Sequence, residues 1–411
     1  RKIPARIDQG NILQVTVTDP VKQGEGVKAF ISYKVNTKTD LPEYDMSSFS
    51  VIRRYSDFVW LINQLVRDFP GYVIPPLPGK SVLNKFDAGF IETRRRGLEK
   101  CLNRISEHAA LRKSDHFKCF LEAKEEGFSI QKVAASEEAK SKSKGFFSWI
   151  TDTATSTYNN VRGSVKRERT QDDVRFDEIT EYIETLEPQL QAVSKNVSAV
   201  IQRGIDMGNC MFDVGLAFTL MGQSDSGKRL REGLTKMGHT ADSLSVLAKE
   251  TADKEIEHFD EAIKDYLRVI GSARLAMAKR TSALNELLLA MSNHSGKVEK
   301  HQSLVGQPGK EDLAQKAMDS VVVAQAKEDQ AKKKFHTIQQ ILFQEFDRFR
   351  REKTIDFKKI MTDYANIRIA HSRAMEKEWE ALLPVLDAIK HEEAGAAVEA
   401  PSAPVDDGDS I

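Results

Sequence analysis

The first readable pattern in the chain is an alternation. Ile12-Leu-Gln-Val-Thr-Val-Thr18 puts apolar and polar side chains on opposite sides, as a half-buried strand does. Lys28 to Val35 and Phe49 to Arg54 read as two further strands, with turns at Gly24–Gly26 and Pro42–Tyr44. At Ser56 the spacing becomes helical: Phe58, Leu61, Ile62 and Leu65 fall on one face of a helix reaching Phe69. A stiff loop, Pro75-Pro76-Leu77-Pro78, follows, and helical spacing returns from about Ala88 to His108 and from Ser114 to Lys124. Three strands followed by helices predict an α+β domain over residues 10–127.

Residues 128–145 are rich in Ser, Lys, Glu and Ala without periodicity, and are expected to form a linker. From Asp172 the pattern is helical almost throughout, with breaks expected near Gly222–Gly227 and Ser295–Gly309. The resulting segments, roughly 50, 65 and 80 residues long, would span about 75, 100 and 120 Å. Between Glu311 and His391 there is no glycine and a single proline, so nothing common interrupts a helix there. Phe335, Ile338, Leu342, Phe346 and Phe349 recur at steps of three and four; Ile360, Tyr364, Ile367, His371, Met375, Trp379, Leu382 and Leu386 continue the row. This coiled-coil-like seam predicts an all-α region of three long helices over 172–391, a rod needing a second copy to cover its remaining apolar stripe. The tail, 392–411, is acidic and poor in large apolar residues, and is expected to be disordered.

Composition narrows the functional class. The 411 residues are 40% hydrophobic and 30% charged, with 61 basic and 61 acidic side chains. Zero net charge conceals a gradient, because residues 1–127 carry +5, 128–170 carry +4, 171–391 carry −3 and 392–411 carry −6. A basic N-terminal part attracts anions such as phosphate or anionic lipid. No run of about 18 apolar residues exists for a membrane-spanning helix, and no apolar signal core follows the basic start. The chain opens on Arg1 rather than Met, which leaves room for an upstream segment. Cys101, Cys119 and Cys210 cannot make a disulfide framework and fit a reducing compartment. The nine histidines are scattered, with no zinc-type Cys/His spacing and no nucleophile elbow, so neither an enzyme nor a metal or other cofactor is expected. No DNA- or RNA-reading motif is present, so no nucleic-acid partner is expected. Gly222 to Lys228 has most of a phosphate-binding loop, but Arg229 stands where Ser or Thr would hold magnesium and no strand precedes it. It reads as an inter-helix turn.

The chemistry concentrates in three motifs. Arg53-Arg54-Tyr55-Ser56-Asp57-Phe58 joins a strand end to a helix start, where free N–H groups and guanidinium charge favour phosphate. A strand-edge arginine pair with Ser56 or Asp57 as helix cap is the simpler alternative. Ile74 to Ser81 is the proline loop leading to Lys80, and Phe90 to Leu98 carries Arg94-Arg95-Arg96 at helical spacing. In this order and spacing, the three motifs resemble the PX domain of sorting nexins over about residues 10–125. The resemblance implies phosphatidylinositol 3-phosphate binding. Arg54 would hold the 3-phosphate, Tyr55 pack on the inositol ring, Lys80 meet the 1-phosphate, and Arg94 bind the 4- and 5-hydroxyls, with Arg95 as the alternate. Val82, Leu83 and Phe86 would dip into the bilayer or anchor the loop.

Farther along, Phe146, Trp149, Ile150, Thr157, Tyr158 and Val161 fall roughly on one helical face, with Phe147 beside them as a further candidate for membrane insertion, flanked by Lys142, Lys144, Arg162, Lys166, Arg167 and Arg169. Residues 146–165 are therefore expected to form an amphipathic helix that either enters a membrane interface or packs on a neighbouring domain. A PX domain, an amphipathic helix and a three-helix region in succession resemble the SNX-BAR sorting nexins, whose last part is a dimeric, curved BAR domain. Phe346 to Lys353 and Trp379 to Pro384 are similar to the last BAR helix of retromer-associated members. The resemblance implies a basic tip at Lys297, Lys300, His301 and Lys310, and a membrane-facing side including Arg274, Lys279, Arg280 and Lys332–Lys334. It further implies a homodimer or a heterodimer with another SNX-BAR protein, retromer subunits as partners, and curvature sensing and tubulation on early endosomes. The alternative is a coiled-coil adaptor recruited by its PX domain without membrane remodelling.

Overall fold

A computed structural model of the chain describes residues 12–26, 29–79, 87–140 and 168–389. It opens with antiparallel strands β1 (Leu13–Gln23), β2 (Phe30–Thr39) and β3 (Ser48–Arg54), in sheet order β1-β2-β3. Val17 pairs with Val35, and Val35 with Val51, so inward valines line up across the sheet. Strand β1 continues past the alternation that ends at Thr18. The ladder slips between Thr18 and Val21 and Asp19 takes φ +50°, which makes a bulge around Pro20. Proline has no N–H for a ladder, and the bulge lets pairing resume beyond it.

Helices α1 (Tyr55–Asp68), α2 (Ala88–Glu107), α3 (Asp115–Glu122) and α4 (Glu125–Lys140) follow. The expected face of α1 is buried: Phe58, Leu61, Ile62 and Leu65 meet Tyr33 and Val35 of the sheet and Leu98, Leu102 and Phe120 of later helices. Asp87 caps α2 by accepting the Phe90 N–H at 2.9 Å, and Ser114 caps α3. The segment expected to begin a linker at residue 128 is instead helix α4 as far as Lys140. Phe128 is buried in the core, edge-on to Trp60 and Phe120 at 5.0 and 6.0 Å. One aromatic anchor holds the start of this helix, and a single anchor produces no periodicity to read.

The long helices are α5 (Gln171–Ser224), α6 (Lys228–Glu255), α7 (Glu261–Leu304) and α8 (Glu311–Asp387). Residues 225–227 form the expected turn, so the glycine-rich stretch before Lys228 joins two helices. Between α6 and α7 the chain stays helical through a π-helical turn, Ile256–Asp260. The second segment is longer than expected because Gly296 stays within α7. The break lies at Val305–Lys310, where Gly306 and Gly309 adopt φ +78° and +79°. With 77 residues, α8 is about 115 Å long.

Packing divides the chain into two compact units, one of residues up to Ser194 with Glu261–Lys358, the other of Lys195–Asp260 with residues from Lys359 onward. In the first, Phe335, Ile338, Leu342, Phe346 and Phe349 of α8 are all buried, as their spacing predicts. Arg280 is not on a membrane-facing surface. It is 3% exposed, donates to Asp173 and Gln339 at 2.5 and 2.8 Å, and lies over the Phe176 ring. In the second unit, Tyr364 stacks on Phe259 at 4.4 Å, and Ile360 and Leu382 are buried. Helices α5 and α6 approach closely at Gly215 and Gly238: a Cβ on either would lie 2.9 or 2.8 Å from the other's carbonyl oxygen. Phe212, Leu216 and Leu220 on α5, and Ile369 and Leu383 on α8, remain exposed.

Candidate functional site

Strand alternation separates the two arginines at the end of β3. Arg53 points inward and is 2% exposed. Its guanidinium donates to the carbonyls of Phe120 at 3.0 Å, Ile52 at 3.0 Å and Ala123 at 2.5 Å, and sits 4.1 Å from the Phe128 ring centre. Burial lowers its pKa to about 10. Arg53 therefore belongs to the core, whereas the Arg54 side chain is 51% exposed and its guanidinium lies 5.5 Å from the Phe30 ring centre. The Arg54 N–H donates to Asp57 Oδ2 at 2.9 Å, and Lys132 of α4 donates to Asp57 Oδ1 at 2.5 Å. Asp57 thus fixes the first turn of α1 and the backbone from which Arg54 projects.

Tyr55 and Arg94 form one cluster with the proline loop. The Tyr55 hydroxyl donates to Pro78 O at 2.8 Å, and Arg94 Nη2 approaches Gly79 O at 3.4 Å. The Arg94 guanidinium lies 4.6 Å from the Tyr55 ring centre and 4.3 Å from that of Phe90. Burial raises the Tyr55 and Tyr33 hydroxyl pKa values, with the Arg94 charge opposing it in both. Even a methyl group at Gly97 would crowd the proline loop. That Cβ would lie 2.8 Å from Pro78 Cβ, so the glycine lets the proline loop lie directly on α2.

The other expected residues fall differently. Arg95 is held by Glu92 at 2.7 Å, Glu99 at 3.2 Å and the Val17 carbonyl at 2.6 Å, which leaves it poorly placed as an alternate for Arg94. Lys80, Val82, Leu83 and Phe86 lie outside the described residues, as do Phe146, Phe147, Trp149, Ile150, Tyr158 and the acidic tail from 392. Lys297 and Lys300 are in the last part of α7 and Lys310 directly precedes α8, so the turn brings these lysines near one another in the chain; Lys300 and Lys310 are exposed. The parts played by Phe30, Phe90 and Lys132 escaped the sequence reading, whereas Asp57 was a candidate helix cap and does hold the first turn of α1. Only Gly97, a glycine within a strong helical pattern, offered a signal of close packing.

Against known proteins, residues 41–124 match the family described as PX domain, and 148–385 match the one described as Vps5 C terminal like. Sorting nexin 1 of Arabidopsis thaliana is 31% identical over 381 residues, covering 92% of this chain and 93% of that protein. Sorting nexin-1 of Rattus norvegicus is 27% identical over 391 residues, covering 92% of this chain and 72% of its own length. The cryo-EM structure of the SNX-BAR Mvp1 tetramer has the same fold, with a TM-score of 0.69 at 20% identity, over 90% of this chain and 99% of that one. The chain belongs to the sorting nexins of the SNX-BAR type, membrane-associated sorting proteins that join a PX domain to a Vps5-like BAR domain.

Proposed function

We propose that this chain binds phosphatidylinositol 3-phosphate in its PX domain and, as a dimer, senses and tubulates endosomal membrane during retromer-associated cargo retrieval. The observation that carries the lipid reading is the pairing of an outward Arg54 with a Tyr55–Arg94 stack set against the proline loop. Two guanidiniums supply charge-assisted donors for phosphate and hydroxyl oxygens, and the Tyr55 ring offers a flat apolar face. Lys80 follows directly on Gly79 and adds a further cation for the 1-phosphate.

The exposed apolar side chains of α5 and α8 support dimerisation, with a second copy or with another SNX-BAR protein. The 146–165 segment would insert as an interfacial helix, and Lys297, Lys300 and Lys310 would meet anionic headgroups. Early endosomes and their tubules are the site of action. Vesicle co-sedimentation with and without the 3-phosphoinositide tests the lipid step. Arg54→Ala should lose roughly 2–4 kcal/mol of lipid-dependent binding, from charge-assisted hydrogen bonds partly offset by solvation. Unchanged binding by a folded variant would remove the site.

A further inference from the structure

We infer that Glu345, on helix α8, is a positioning residue for the proline loop of the headgroup site, so that seating of the PX domain on the long helices sets its lipid affinity. The inference rests on reading that site as a phosphoinositide site. Glu345 is 5% exposed and gathers three donors. The Val73 N–H reaches its Oε2 at 3.1 Å, Arg348 Nη2 reaches Oε2 at 2.7 Å, and His108 Nε2 lies 3.0 Å from Oε1. The tautomer follows from geometry. His108 Nδ1 accepts the N–H groups of Ala110 and Leu111 at 3.1 and 3.2 Å, so Nε2 carries the proton and donates to Glu345.

Val73 is where the loop begins. Just before it, Gly71 has φ +93°, and a Cβ there would lie 2.9 Å from the Ile338 carbonyl of α8, so the loop's entry rests on that helix's backbone. The loop then meets α2 through Cys101 Sγ and Pro75 O at 3.5 Å, and ends on Tyr55 and Arg94 through the carbonyls of Pro78 and Gly79. Pro75, Pro76 and Pro78 occupy three of the seven positions from Val73 to Gly79. Each has φ held near −65°, which leaves few torsions to absorb a shift at Val73. A shift at Glu345 is therefore passed to the carbonyls that hold Tyr55 and Arg94.

Apolar packing buries Val73 and Ile74 as well, but the Val73 N–H itself is held by Glu345. A cavity of about 780 Å³, lined among others by Tyr72, Pro75, Arg104, His108, Tyr266 and Glu345, flanks it. The carboxylate thus secures a place where the loop, α2 and α8 meet across open space. Lys100 and Arg104 of α2 meet Asp265 of α7 at 2.7 and 2.8 Å, which ties α2 to the helices but leaves Val73 to Glu345.

The test uses the full chain with Glu345→Ala, Glu345→Gln, Tyr55→Phe and Arg54→Ala. Methyl NMR of Ile74 and Leu77, without lipid, should show shifted or broadened signals in Glu345→Ala, while those of Val35 on β2 and Leu121 on α3 hold. Glu345→Gln keeps an acceptor for the Val73 N–H and should restore most of the wild-type pattern. Binding of Glu345→Ala to vesicles containing phosphatidylinositol 3-phosphate should weaken about fivefold or more, and binding to anionic vesicles lacking it should not change. Tyr55→Phe cuts the tether at the far end of the loop, so its effect should shrink in the Glu345→Ala background; two effects that simply add would overturn the inference. Unchanged Ile74 and Leu77 signals in Glu345→Ala would overturn it as well. Wild-type binding by Arg54→Ala would instead overturn the lipid reading, and the methyl signals would still decide whether Glu345 sets the loop.

Discussion

Gly97→Ala tests whether the headgroup site depends on close seating of the proline loop. The added methyl would lie 2.8 Å from Pro78 Cβ and 3.1 Å from its Cγ. Carbon atoms pack best at about 3.5–4.0 Å, so Pro78 must retreat by roughly 0.7–1.2 Å. Stability should change little. Alanine gains about 1 kcal/mol over glycine within a helix, and overpacking costs about 1–3 kcal/mol. The site should suffer more. The Tyr55 hydroxyl bond to Pro78 O, now 2.8 Å, would stretch past hydrogen-bond length, and the Gly79 carbonyl would leave Arg94. Losing one such bond costs about 0.5–1.5 kcal/mol, and disturbing a charged donor about 1.5–3. Together, about 2–4.5 kcal/mol, they predict a roughly 30- to 2,000-fold loss of affinity for 3-phosphoinositide vesicles with a melting temperature within a few degrees of wild type. Co-sedimentation and calorimetry measure the two separately. A Gly97→Ala protein that binds lipid as wild type does would refute the loop-mediated geometry. One that loses both together would mean the substitution damages the core.

Other predictions follow from the same structure. Burial pushes the Glu345 carboxyl pKa up, but the hydrogen bonds from His108 and Arg348 outweigh it and hold the value below the ordinary 4.5. Its contribution to stability is therefore present above that value and lost as pH falls through the folded one. The stability difference between wild type and Glu345→Gln should shrink from about pH 6 to pH 3, and a constant difference would contradict this. For assembly, Leu382 is buried within the chain and Leu386 packs toward Gly233, so charges there would test folding as much as association. The exposed Phe212 and Leu383 are cleaner probes. Changing both to Glu should shift sedimentation toward monomer, at about 1.5–3 kcal/mol for each side chain no longer buried, and an unchanged dimer would place the interface elsewhere. Replacing Phe146, Trp149 and Ile150 by Ser should abolish vesicle tubulation yet spare lipid-dependent binding, because Arg54, Tyr55 and Arg94 are untouched. Tubulation that persists would assign bending to the long helices alone.

Much of this architecture was legible in the sequence because its cause is local. Alternation at Leu13–Val17, the helical face of Phe58 to Leu65, and the Phe335–Phe349 seam each repeat with the period of their own backbone. The turns at 225–227 and 305–310 fall in stretches where glycine recurs. The motif order around Arg54, the proline loop and Arg94 likewise pointed to one family. What remained hidden depends on residues far apart in the chain. Nothing local distinguishes Arg280, buried against Asp173, from a solvated cation on a long helix. Helix α4 is held by Phe128 in the core and by Lys132 on Asp57, and the rings beneath the two site arginines come from Phe30 and Phe90. Val73 and Glu345 are 272 positions apart, and only packing of the loop against α8 brings them within 3.1 Å. Periodicity determines which face of an element is buried; what that face meets is decided by the tertiary fold, because hydrogen bonds and charge pairs act across space without regard to sequence order.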